Sequence, residues 1–233
     1  MNVLAIGAHP DDIEVCCAGT LAKYQKQGHS IYIVLSTNGN QGSNVVSREE
    51  IRSIRKREAE ESARILGAQI SHMDYDDEGL VDTPESRRSF INAIRQANPD
   101  VIFTHYPEDK STDHGMTGKL TTQVMLSLQG KNIRADVQPI QKLPALFYFD
   151  TGGGVGFVPE VYVDITAEMD IKREAFSRHA SQLDWMKVFG LADFNEYLNL
   201  VSGYRGLQAG VKYAEGFVAC RLWNFMPDYK LLP

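Results

Sequence analysis

Residues 9 to 14 read His9-Pro10-Asp11-Asp12-Ile13-Glu14 and follow directly on an apolar run, Val3-Leu4-Ala5-Ile6-Gly7. The pattern places a histidine and two adjacent carboxylates at the carboxyl end of a buried strand, where open α/β sheets bind their ligands. Imidazole and carboxylate together are zinc-binding chemistry, and a carboxylate left over beside the ligands can serve as a base. A second group, His105 and Asp109 with Asp113-His114, follows another apolar run, Val101–Thr104. Two histidines and a carboxylate drawn from the two groups would make a three-ligand site with a fourth position left for water, as in catalytic zinc centres. Each group alone has a plainer reading, because carboxylates at a helix start cap the chain and suit the helix dipole. Their joint placement at the ends of two strands favours the chemical reading.

The elements that must hold these residues alternate along the first half of the chain. Val3–Gly7 reads as a buried strand and residues 14–27 as a helix stopped by Gly28. Ile31–Leu35 is the second strand. A loop, Thr37-Asn38-Gly39-Asn40-Gln41-Gly42, separates it from a helix that begins at Ser47-Arg48-Glu49-Glu50, which has capping-box spacing, and ends at Leu66 before Gly67. A short strand near Ile70–Met73, an acidic loop from Asp74 to Glu78, and a helix opened by Thr83-Pro84 follow. Val101–Thr104 is the fourth strand, and a helix covers about Asp113 to Leu128. Beyond it, Ala145–Phe149 and Val161–Val163 are strand candidates, Gly152-Gly153-Gly154 is a loop, and residues 167–187 are helical. The tail after Gly203 carries no clear period.

Strand–helix alternation predicts one α/β domain over residues 1–233, a single-domain Rossmann-like three-layer fold with a mostly parallel sheet. In such a sheet the first and fourth strands are neighbours at the switch point, so the two groups face one crevice. A dinucleotide site would require a glycine-rich GxGxxG turn after the first strand. Here the turn is Gly7-Ala8-His9-Pro10-Asp11-Asp12, and its carboxylates repel phosphate; a GxxxxGK[ST] loop is also missing. The net charge of −6 disfavours nucleic acid and anionic membranes as partners. Three cysteines, Cys16, Cys17 and Cys220, suggest no disulfide framework, and no apolar run reaches membrane-spanning length. The expected compartment is the cytoplasm.

The run His9-Pro10-Asp11-Asp12-Ile13-Glu14 resembles the HPDDxE signature of the LmbE-like/PIG-L N-acetylglucosaminyl deacetylases, and Asp113-His114 resembles that family's second zinc motif. Thr37-Asn38-Gly39, the helix Arg55-Lys56-Arg57-Glu58-Ala59 with Ala63-Arg64-Ile65-Leu66-Gly67, His179-x-Ser181-Gln182 and Tyr213-Ala214-Glu215-x-Phe217 are similar to further family motifs. The resemblance spans most of the chain. It implies one divalent metal per chain, usually zinc, and hydrolysis of an N-acetyl amide on an N-acetylglucosamine-type sugar or glycoside. It also implies a homo-oligomer, hexamers included. Residue by residue, it makes His9, Asp12 and His114 metal ligands and Asp11 the general base. It makes Arg55 and Asp77 contacts to sugar hydroxyls. Glu14 and Asp113 are read as supporting carboxylates behind the ligands.

The chain departs from the family where many members have a histidine three residues before the ligand histidine. Here that slot is Ser111. Either Asp11 then acts as both base and acid, or His105 from the same loop supplies the acid; the first version is preferred, with His105 read as a surface residue. Two alternatives stand beside a sugar deacetylase: a metal-dependent amidase or deacylase on a non-sugar substrate, and a non-catalytic metal- or sugar-binding relative. Trp185 and Trp223 are expected in the core or at a subunit contact.

Overall fold

A computed structural model describes residues 1–187, 194–222 and 229–233. The expectation for Trp223, and for the side chain of Trp185, lies outside the described residues. Strands β1 (Asn2–Gly7), β2 (Ser30–Thr37), β3 (Ala68–Tyr75) and β4 (Val101–Thr104) pair in parallel, with β1 between β2 and β4. The register sets Ala5 beside Phe103 and Ile6 beside Thr104. The switch point therefore lies between β1 and β4, as the alternation predicts.

Both faces of β1 are buried, which is why it reads as an unbroken apolar run. Val3 and Ala5 pack on one side with α2 (Ala18–Lys26) and α3 (Arg48–Ile65). Leu4 and Ile6 pack on the other with α4 (Pro84–Ala97) and α5 (Thr112–Val124). The result is a sheet between two helical layers. Thr83 caps α4 through Ser86 N–H at 3.1 Å, and Ser47 caps α3 through Glu50 N–H at 3.2 Å.

The structure corrects three boundaries. The helix expected over 14–27 is two: α1 (Asp12–Cys16) and α2, broken at Cys17, whose φ is −148°. A remote residue stabilises the break. The Glu215 carboxylate accepts the N–H groups of Gly19 (3.0 Å) and Thr20 (2.7 Å) at the start of α2. Residues 167–187 form α6 (Met169–Phe176) and α7 (Ala180–Lys187) rather than one helix. A further helix, α8 (Phe194–Ala209), runs into the stretch after Gly203 that shows no clear period, and β7 (Ala214–Ala219) lies within it. Strand β7 inserts antiparallel between β5 (Ala145–Phe149) and β6 (Val161–Asp164), giving the order β3-β2-β1-β4-β5-β7-β6. No helix among the described residues is long and apolar enough to cross a membrane.

Candidate active site

Strand β1 ends in a tight turn that delivers three side chains to one place. Asp11 sits at φ 126°, a region that L-residues rarely adopt. Such strain costs about 1–3 kcal/mol and persists only when the surroundings enforce it. Arg55 enforces it here. Its guanidinium donates to Pro10 O at 2.6 Å and to Asp11 Oδ1 at 3.1 Å. The next residue locks the turn from within, because His9 N–H donates to Asp12 Oδ2 at 2.6 Å. Among the described residues no group bonds Asp11 Oδ2. Burial raises the Asp11 pKa, and the Arg55 charge opposes that rise.

Helix α5 brings His114 across the switch point to meet this turn. His9 Nδ1 and His114 Nε2 face each other at 3.3 Å, and Asp12 Oδ1 lies 3.3 Å from His114 Nε2. One donor atom from each of His9, Asp12 and His114 lies within 4.8 Å of the others. Two ring nitrogens cannot both present lone pairs at that separation without a cation between them. The outward nitrogens are held by carboxylates: His9 Nε2 by Asp113 Oδ2 at 3.0 Å, and His114 Nδ1 by Asp109 Oδ2 at 3.3 Å. Backed imidazoles of this kind are the usual support of metal-ligating histidines. The residues therefore fit a divalent cation with two nitrogen donors and one oxygen donor.

Two other groupings lie within the same reach, His105 with Asp109 and His114, and His9 with Asp77 and Asp113. Their donors are engaged elsewhere. His105 Nε2 accepts Ala8 N–H at 2.9 Å, and Asp77 accepts Gly39 N–H (2.8 Å) and Gln41 N–H (3.0 Å).

The protonation of these groups follows from the same contacts. Burial alone would lower the His9 pKa, but the bonds to Asp113 and Asp12 raise it to about 9. His114 is pushed up to about 10 against its burial, by the Asp12 charge and the bond to Asp109. Burial works to raise the Asp12 pKa, but His114 and then His105 hold it well below the carboxylate range. His105 goes the other way: burial, reinforced by the His114 charge, lowers it to about 4.

A cavity of about 620 Å³ opens over these residues, lined also by Arg55, Asp77 and Glu78. Arg55 runs beneath the loop after β2. A Cβ on Gly39 would lie 2.7 Å from its side chain, and one on Gly42 only 2.5 Å from Nη1. The loop is clasped from its other side by Asp77. Arg55 and Asp77 thus both reach the cavity while each holds part of its wall. Glu14 stands apart from the ligands. It is buried, bonds Ser62 Oγ, and lies 3.3 Å from His179 Nε2. Its pKa is raised by burial but lowered overall by His179. The motif His179-x-Ser181-Gln182 docks the start of α7: Ser181 bonds Glu58, and Gln182 reaches Gly42 O at 3.3 Å.

His105 corrects the surface reading. It is 1% exposed, stacked on His114 with ring centroids 4.1 Å apart, and its Nε2 is 3.1 Å from Asp12 Oδ2. Ser111 lines the cavity, and its N–H caps Asp109 at 2.9 Å. The sequence groups Asp109 with His114 but does not assign it as that ring's partner, although its place five residues earlier, on the loop leading into α5, is a usable signal. The buried Asp150–Arg205 pair (2.5 and 3.0 Å) had no such signal, since its halves lie on β5's exit and α8.

The fold and the site together define a class of protein. The family model PIG-L: GlcNAc-PI de-N-acetylase matches residues 4–125, and the chain belongs to that family. A diacetylchitobiose deacetylase of Thermococcus kodakarensis is 29% identical over 226 residues, 92% of this chain and 81% of that protein. The structure of the N,N'-diacetylchitobiose deacetylase from Pyrococcus horikoshii superposes with a TM-score of 0.82 at 28% identity, covering 97% of this chain and 86% of that one. The 4-carboxy-2-hydroxymuconate hydratase from Pseudomonas putida superposes with a TM-score of 0.81 at 21% identity, covering 97% of this chain and 100% of that one. That likeness shows the fold alone, and a fold hosts more than one chemistry.

Proposed function

We propose that this protein is a zinc-dependent hydrolase that removes the acetyl group from an N-acetylglucosamine-type sugar, with one cation per chain on His9, Asp12 and His114. The observation that supports this reading most is the convergence of those three donors beside Asp11, whose Oδ2 is bonded by no group among the described residues, in the wall of one cavity. A divalent cation held there supplies Lewis acidity toward an amide carbonyl and toward water.

Asp11 moves the protons. Its burial-raised pKa makes it a stronger base than an exposed carboxylate. Oδ2 takes a proton from the attacking water, whose oxygen ends in acetate. The same proton then passes to the amine nitrogen as the C–N bond breaks. Arg55 fixes the carboxyl from the Oδ1 side and leaves Oδ2 for the proton. No second acid is needed from position 111.

The test is acetate release from a panel of N-acetylated amino sugars by metal-defined protein. Asp11→Asn should keep its metal and lose about 10²–10⁴-fold in kcat. Turnover without acetate, as in a hydratase, or full activity in Asp11→Asn would sink the reading. The three unpaired cysteines suit a reducing cytoplasm. The reading also carries a homo-oligomer, and a solution mass equal to one 26.1 kDa chain would remove that part.

A further inference from the structure

Six carboxylates line the cavity, those of Asp11, Asp12, Asp77, Glu78, Asp113 and Asp150, against one arginine among the described residues. Glu78 is exposed at the rim, with its backbone at φ 60° and its N–H bound to Asp113 Oδ2 at 2.8 Å. Asp113 itself is only 3% exposed, and its Oδ1 has no hydrogen-bond partner among the described residues. That oxygen is buried, so its negative charge bears on the cavity with no donor to answer it. Arg55 is the one arginine lining the cavity among the described residues, and it is committed to Asp11 and to the carbonyls of Pro10 and Gly39. No lysine lines it among those residues, and segments 188–193 and 223–228 contain neither lysine nor arginine. A dication on His9, Asp12 and His114 offsets the carboxylates next to it and leaves the rim around Glu78 acidic.

We propose that the rest of the substrate, beyond its acetamido sugar, is uncharged or carries an ammonium group, and that carboxylate- and phosphate-bearing glycosides are rejected. This rests on the deacetylase reading above. Sugar hydroxyls and ammonium groups donate hydrogen bonds to the exposed carboxylate of Glu78. A carboxylate or phosphate meets charge of its own sign, and the neutral donors that line the cavity, such as Asn44, Ser111 and Thr112, do not supply the positive charge that would offset it. The amine product is favoured by the same wall, so a glycan with several acetamido groups remains a substrate after its first deacetylation.

Three 2-acetamido-glucosides with the same short aglycone, ending in a hydroxyl, an ammonium or a carboxylate, separate the possibilities on metal-loaded wild-type protein. At low ionic strength kcat/KM for the carboxylate should fall at least about tenfold below the hydroxyl, with the ammonium equal to the hydroxyl or above it. High salt should narrow the gap. Glu78→Lys should raise the carboxylate relative to the hydroxyl substrate, and Asn44→Lys, at another position lining the cavity, should act in the same direction. A carboxylate substrate hydrolysed as well as the hydroxyl one at low salt overturns the proposal. Acetate from none of the three overturns the deacetylase reading, and this inference with it.

Discussion

A histidine that carries an extra proton must release it before it can ligate a cation. In the metal-free protein His9 and His114 hold their protons to about pH 9 and about pH 10, because Asp113, Asp109 and Asp12 stabilise the charged rings against burial. Metal uptake at neutral pH should therefore expel protons from both rings, and the apparent affinity should rise with pH until those values are passed. Calorimetry of zinc binding in two buffers of unequal ionisation heat measures the release; identical heats would contradict the ligand assignment. His9→Ala and His114→Ala should each lose most of the bound metal by elemental analysis. His105 calls for a different result. With its pKa near 4 it has no acidic proton to deliver at neutral pH; its Nε2 accepts Ala8 N–H and its ring stacks on the candidate ligand His114. His105→Asn should weaken metal binding by roughly 10–100-fold. The pH profile of any remaining activity should keep its shape through neutrality, and a lost limb in that profile would reinstate His105 as an acid. The cluster at 9–14 was legible because its members are contiguous, whereas the role of His105 depends on a ring stack and a backbone N–H from across the sheet.

Elements place the base as much as residues do. The loop after β2 crosses Arg55 so closely that two glycines are required, and at Gly39 the backbone itself is left-handed at φ 73°. Gly42→Ala should push Arg55 off Asp11, so that kcat falls at least about tenfold while metal content stays intact. A variant with wild-type kcat would show that Arg55 does not position the base. Sequence disclosed the loop and the arginine separately. That one lies under the other is a tertiary fact, carried by the missing Cβ atoms. Parallel strands with both faces buried were equally plain, as β1 and β4 show. Strand β7, Ala214–Ala219, was not: a short stretch with a buried glutamate and a glycine does not look like the partner of two others. Nor could the break at Cys17 be read locally, since the residue that caps the second piece is Glu215.

Across the whole molecule, a buried ion pair helps to join the N-terminal site to the C-terminal third, beside the Glu14–His179 contact. Lys172 donates to Glu215 Oε1 at 2.5 Å and to Val15 O at 2.8 Å, and both side chains are almost fully buried. Removing one partner strands a charge, so Lys172→Met should cost about 3–5 kcal/mol in urea unfolding. The double variant Lys172→Met/Glu215→Gln should recover part of that loss. A single variant as stable as wild type would mean that the pair contributes little to the join. The insertion of β7 also has a consequence for how the chain comes into being. Synthesis runs from the N-terminus, so β5 and β6 leave the ribosome while the strand that belongs between them is still unmade. Until residue 214 emerges, β6 has no neighbour and one edge of β5 is bare, a template for pairing with other chains. All three candidate ligands are translated early, yet the cap that sets α2 against α1 arrives with Glu215. A nascent chain thus holds every metal-binding side chain, and the arginine that braces their turn, well before Glu215 arrives to fix the break between α1 and α2, so the seating of α1 under the site waits on the last strand to be made.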